Sequence, residues 1–147
     1  MKKRLLALTV VVALALVMAT AGVYAATAPV EVKMEAAYKH SKSIPVFTHQ
    51  KHVTDYKLTC GECHHDDKGQ PLKDLKDGDP VQSCFDCHNK PGELKGKKAK
   101  GLSSKEKLEY HANAIHKNCI GCHKTYNKEN KTKAAPQKCT DCHPKKK

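Results

Sequence analysis

Four copies of Cys-x-x-Cys-His lie between residues 60 and 143, and they use all eight cysteines of the chain. The pairs are Cys60 and Cys63, Cys84 and Cys87, Cys119 and Cys122, and Cys139 and Cys142, followed by His64, His88, His123 and His143. Two thiols at this spacing can add across the two vinyl groups of one porphyrin, and the next histidine can then reach the iron from the same side. The pattern predicts four covalently bound haem c groups, each fixed by one motif that also supplies half of its axial ligation. A zinc ribbon would pair two Cys-x-x-Cys units per metal, and a disulfide framework would pair the thiols. Neither gives a reason for a histidine after every second cysteine.

The histidine count carries the next step. Ten histidines are present, and six stand outside the motifs: His40, His49, His52, His65, His111 and His116. Four irons with two histidines each need four of those six. An iron with two strong nitrogen ligands is coordinatively filled, so it passes electrons but binds no substrate. The arithmetic favours an electron carrier over an enzyme.

The N-terminus fits an exported chain. Lys2, Lys3 and Arg4 precede an apolar run from Leu5 to about Ala21, and Val23-Tyr24-Ala25 offers small residues at the cleavage positions. This reads as a secretory signal peptide over residues 1–25, cut after Ala25, with a single membrane anchor as the alternative. The mature chain, residues 26–147, would lie in the periplasm, where c-type haem is attached, with no transmembrane segment once the signal is removed. That stretch holds two Phe, four Tyr and no Trp, a poor stock for a hydrophobic core. The haem groups must then supply most of the apolar interior. Lys, Gly and Asp between the motifs predict loops wrapped over a haem cluster.

Regular structure is sparse. A short strand pair is expected near Val32 and Val46. Ser103-Ser104-Lys105-Glu106 supplies a capping box for a helix running to about Asn118. Leu108, Ala112 and Ile115 form its apolar stripe, flanked by His111 and His116. Asp66-Asp67 and the acids from Asp74 to Asp79 read as a solvated loop with turns at Gly69 and Gly78-Asp79-Pro80. No Gly-rich phosphate loop or other catalytic constellation is present.

Two ordered segments resemble a known family. Val46-Phe47-Thr48-His49-Gln50-Lys51-His52 is similar to a Phe-x-His-x-x-His signature, and Cys60-Gly61-Glu62-Cys63-His64-His65 to a doubled histidine after the first motif. Both belong to the class III cytochromes c, the tetrahaem cytochromes c3 of sulfate-reducing and related bacteria, and the resemblance covers nearly the whole mature chain. It implies a small multihaem cytochrome: mostly loops, a few short helices and a minimal β-hairpin wrapped around four haems. It also implies the distal ligands: His49 for the first haem, His65 for the second, His52 for the third. The fourth takes a histidine from before the third motif. His116, three residues before Cys119, is preferred to His111, which becomes a packing residue or a propionate partner. His40 is expected at the surface. Phe47 matches an aromatic that lies between the first and third haems. Many relatives use Cys-x4-Cys-His at the second and fourth sites, a spacing absent here, which leaves the subgroup open.

Charge bears on partners. Without the three basic residues of the signal the chain has 24 basic and 15 acidic residues, a net of +9, and every cation is lysine. Lys95, Lys97, Lys98 and Lys100 form one run, and Lys138, Lys145, Lys146 and Lys147 flank the fourth motif. By resemblance such lysines dock acidic patches on a periplasmic hydrogenase, as electron donor, and on a membrane-bound cytochrome complex, as acceptor, in sulfate-reduction-type respiration. Nucleic acid is excluded by the lack of arginine in the mature chain and of an aromatic stacking set. The expected molecule is a monomeric, low-potential carrier. The rival is a haem reductase of metals or oxyanions with one open iron.

Overall fold

The computed structural model describes residues 27–145. The signal-peptide reading and the terminal Lys146 and Lys147 lie outside the described residues.

An extended arm enters through β1 (Val32–Lys33), which pairs antiparallel with β2 (Val46–Phe47) in the register Val32 to Phe47 and Lys33 to Val46. The strand pair expected near Val32 and Val46 is therefore present, two residues long on each side. β2 runs directly into α1 (His49–Thr54), and the Gln50 amide donates to the Val30 carbonyl at 3.0 Å, which seats the helix on the arm. A 3-10 turn over Cys60–Glu62 follows. Next come α2 (Cys84–Cys87), a 3-10 turn over Gly96–Ala99, α3 (Ser104–Leu108), α4 (His111–Glu129) and α5 (Cys139–Cys142).

The expected single helix from Ser103 to Asn118 is corrected in two ways. Its capping box forms, with Ser103 Oγ accepting from the Glu106 amide and Glu106 Oε2 from the Ser103 amide. The helix then breaks at Tyr110, whose backbone is extended (φ −82°, ψ 122°). The cause is non-local. Lys90 and Tyr110 form a parallel bridge in which the Lys90 amide donates to the Glu109 carbonyl and the His111 amide to the Lys90 carbonyl, both at 2.9 Å. Helix resumes at His111 and runs to Glu129, through the third motif rather than stopping before it. It ends in a Schellman arrangement: the Thr132 amide donates to the Asn127 carbonyl at 2.9 Å, with Lys131 left-handed at φ 49°.

Packing by side chains alone is thin. Among the described residues Ala114 is the one buried hydrophobic residue; the other buried positions outside glycine are His111 and Asn127. Val46, Tyr56 and Val81 are about half exposed. Loops are pinned to α4 by amide clasps instead. Asn127 bonds both the carbonyl and the amide of Ala135, and Asn113 both those of Leu94. Gly61 sits against the backbone of Leu72, where a Cβ would come within 2.9 Å of the carbonyl oxygen.

Two backbone positions generate opposite expectations for the haem-loaded protein. Lys131→Gly should raise its stability by about 1 kcal/mol by relieving the left-handed lysine. Gly61→Ala should lower it by about 1–3 kcal/mol through backbone overlap with Leu72. Scanning calorimetry reads both, and a Lys131→Gly midpoint at or below wild type would contradict the helix end described here.

Candidate haem centres

Each thiol pair is carried on a short helical turn, which points side chains at i and i+3 to one side. Cys60 and Cys63 bracket the first 3-10 turn, Cys84 and Cys87 are the ends of α2, and Cys139 and Cys142 the ends of α5. Cys119 and Cys122 sit inside α4. Carboxylates cap two of these turns: Asp86 accepts from the Ser83 amide at 2.9 Å and Asp141 from the Lys138 amide at 3.1 Å. None of the eight cysteines is in a disulfide.

The motifs converge. Burial is the main cause that pushes the Cys119 thiol up to about 11, and thiols of the other three motifs, Cys63, Cys142 and Cys84, push it the same way. Cys63, Cys84 and Cys142 are raised as well, again chiefly by burial. Burial thus disfavours a free thiolate at these positions. A thioether has no charge to desolvate.

The histidines meet in four pairs. Ring centroids of His49 and His64 are 6.4 Å apart, of His52 and His123 6.4 Å, of His65 and His88 5.9 Å, and of His116 and His143 6.2 Å. Each pair joins one motif histidine to one histidine outside the motifs. His116, and not His111, stands opposite His143. A histidine nitrogen binds a metal at about 2.0–2.1 Å, so two imidazoles on opposite sides of one ion have centroids about 6 Å apart. The gaps fit one ion each. Among the described residues no group of three or more His, Cys, Asp or Glu is arranged around a metal site, so the remaining ligands of such an ion must come from elsewhere, as a porphyrin provides. At the first motif a cavity is lined by Phe47, His49, Leu58, Cys60, Cys63 and His64, which brings both thiols and both rings to one space. Phe47 packs against both His49 and His52, with ring centroids at 5.8 and 4.5 Å.

The ring nitrogens away from the gaps are held by the backbone. Nδ1 of His88 contacts the Leu108 carbonyl, that of His123 the Pro136 carbonyl and that of His143 the Ser43 carbonyl, each at 2.6 Å. His65 and His52 reach the carbonyls of Asp66 at 2.7 Å and Thr48 at 2.9 Å. A carbonyl acceptor fixes the proton on Nδ1 and leaves Nε2 as a neutral donor for a metal. His116 differs: its Nδ1 faces the Glu93 carboxylate at 3.4 Å, and Glu93 is also paired with Lys95 at 2.7 Å. Nδ1 of His49 is buried without a partner. Burial, with His49 and His65 nearby, lowers the His64 pKa and favours its neutral form.

The model of the class III cytochrome c family matches residues 24–143. Cytochrome c3 of Desulfovibrio desulfuricans is 30% identical over 122 residues, covering 82% of this chain and 97% of that protein. Cytochrome c3 of Maridesulfovibrio salexigens is 34% identical over 124 residues, 83% and 98% of the two chains. No solved structure matches the chain at a significant level.

Two histidines lie outside the pairs. His40, expected at the surface, is half-buried: its ring stacks on Tyr38 at 4.4 Å and its Nε2 contacts the Ala36 backbone. Tyr38 Oη and Nδ1 of His111 are hydrogen-bonded at 3.1 Å, and Phe85 of the second motif meets the edge of the same ring. Sequence reasoning did not single out Tyr38 or Glu93, whose partners are distant in the chain and leave no local signal.

The His111 pKa is lowered by burial and by His40 and His88. As pH falls below the ordinary 6.5, the unfolded chain takes up a proton that the folded protein refuses, so stability drops and levels off below the folded value. His111→Gln removes that contribution. Between about pH 7.5 and 5.5 its thermal midpoint should fall less than that of wild type; parallel losses would show that His111 is not the sensitive group.

Proposed function

We propose, since the chain belongs to the class III cytochrome c family, that it is a periplasmic, low-potential electron carrier with four bis-histidine haems, and not an enzyme. As a member of that family it is a multihaem electron-transfer protein with covalently bound haem c. The reading of four filled irons rests on the four imidazole pairs, one for each motif. Cys60, Cys63, Cys84, Cys87, Cys119, Cys122, Cys139 and Cys142 would attach the macrocycles. His64, His88, His123 and His143 would be the proximal ligands, and His49, His65, His52 and His116 the distal ones for the first to fourth centres. Haem bound there supplies reversible one-electron chemistry. The chain's part is to orient the rings, close the axial positions and hold the centres near one another. Two nitrogen ligands, without the methionine that raises potential, favour the oxidised state and a low potential.

The compartment follows from the signal-peptide reading of residues 1–25. No helix of the described residues is long and apolar enough to cross a membrane. The expected partners are a hydrogenase as donor and a membrane-bound redox complex as acceptor, in respiration of the sulfate-reduction type. Lys97, Lys98 and Lys100 are exposed, and among the described residues none has an ion-pair partner, whereas Lys95 is partly neutralised by Glu93. Lys138 and Lys145, which flank the fourth motif in sequence, are exposed as well.

The purified protein should contain four haems, and carbon monoxide should leave the spectrum of the fully reduced form unchanged. His116→Ala should open one iron and produce a carbon monoxide shift in about a quarter of the signal. A wild-type shift would instead favour a reductase with an open iron.

Replacing Lys97, Lys98 and Lys100 with Gln should slow reduction by an acidic redox partner roughly tenfold at low ionic strength and flatten the salt dependence. Unchanged stopped-flow rates would exclude this patch as the docking site.

A further inference from the structure

The loop from Lys90 to Leu94 is fastened along the start of α4. Its contacts are the two backbone bonds of the Lys90 bridge, the Ala112 amide on the Gly92 carbonyl at 3.1 Å, and the double clasp of Asn113 on Leu94 at 2.7 and 2.9 Å. Gly92 turns the strap with φ 78°. Glu93 is therefore held on both sides, and Asn113 and His116, three residues apart, lie on the same face of α4. The strap delivers a carboxylate to His116, a distal histidine that, like His49, has no backbone carbonyl at its Nδ1.

We propose that Glu93 is a positioning residue of the fourth centre: its carboxylate holds the His116 ring and lowers the reduction potential there, with Lys95 as counterweight. The inference rests on the reading of His116 as the fourth axial ligand. Five other rings, those of His52, His65, His88, His123 and His143, set Nδ1 against a neutral carbonyl. At His116 the facing group is a carboxylate, with Oε1 at 3.4 Å. A carboxylate behind a ligating imidazole makes it the stronger electron donor. Uptake of one electron removes one positive charge from the centre, so a fixed anion beside it favours the oxidised state. Both effects have the same sign.

Lys95 opposes them. Its Nζ is 2.7 Å from Oε2, the other oxygen of the same carboxylate, and the lysine side chain is 78% exposed. An acidic group on a docking partner that draws Lys95 away would return the carboxylate's full charge to His116 and lower the potential of the fourth centre. Docking at this lysine would thereby push the electron outward. By linkage, the oxidation state of that centre would bias the affinity for the partner.

The test is a spectroscopic redox titration of the haem-loaded wild type, Glu93→Gln and Lys95→Gln. Glu93→Gln keeps an acceptor oxygen and removes the charge. It should move one step of the titration to higher potential by on the order of tenfold in the reduction constant, about 59 mV for one electron. Lys95→Gln should move the same step the opposite way. A purely structural role would give neither shift. Superimposable titrations, or an equal displacement of every step, would overturn the proposal while leaving the axial reading intact. If wild-type protein binds carbon monoxide at one iron, the axial reading fails and the proposal with it.

Discussion

A polypeptide that buries one hydrophobic side chain, Ala114, among its described residues has almost no apolar interior of its own. Two strands of two residues and five helices of four to nineteen residues cannot supply the missing burial. Small domains in this position need covalent staples, and on the proposed loading the attached haem would be both staple and core. The half-exposed Val46, Tyr56 and Val81 and the cavity between Phe47, Leu58 and the first motif are surfaces the polypeptide leaves without a protein partner. Every loop can then be polar and lysine-rich without loss of cohesion, because cohesion does not come from the loops.

What the loops do supply is orientation. For three motif histidines the carbonyl that holds the ring comes from elsewhere in the chain: Pro136 is 13 residues from His123, Leu108 is 20 residues from His88, and Ser43 is 100 residues from His143. Each such bond closes a loop and sets a tautomer at once. On the proposed ligation, a ring turned the wrong way would also leave a loop open. The Ser43 hydroxyl, donating to the Pro144 carbonyl at 2.6 Å, ties the entry arm to the C-terminal motif a second time.

Sequence reading reached what local chemistry dictates. Cys-x-x-Cys-His is a local device, so the family was legible in it, as were the strand pair near Val32 and Val46 and the capping box at Ser103. The break at Tyr110 was not, because a bridge to Lys90 imposes it against a continuous helical pattern. The true end of α4 was hidden for another reason: the left-handed position is occupied by Lys131, where glycine would have announced it. Partners of the ring nitrogens were illegible altogether, since any residue can offer a carbonyl. Glu93 carries no local signal either, since the strap alone brings it to face His116.

Chain connectivity then orders the centres on the proposed ligation. His64 and His65 are neighbours in sequence but face different partners, which ties the first centre to the second. His49 and His52, one turn apart on α1, tie the first to the third. His116 and Cys119, one turn apart on α4, tie the third to the fourth. The links run second, first, third, fourth, with no gap longer than a helical turn, so electrons can cross the molecule in short steps. Position in that order distinguishes the ends. The fourth centre closes the series, and it is there that the charged strap of Glu93 and Lys95 adjoins the exposed lysines, where an electron has no further internal site to reach.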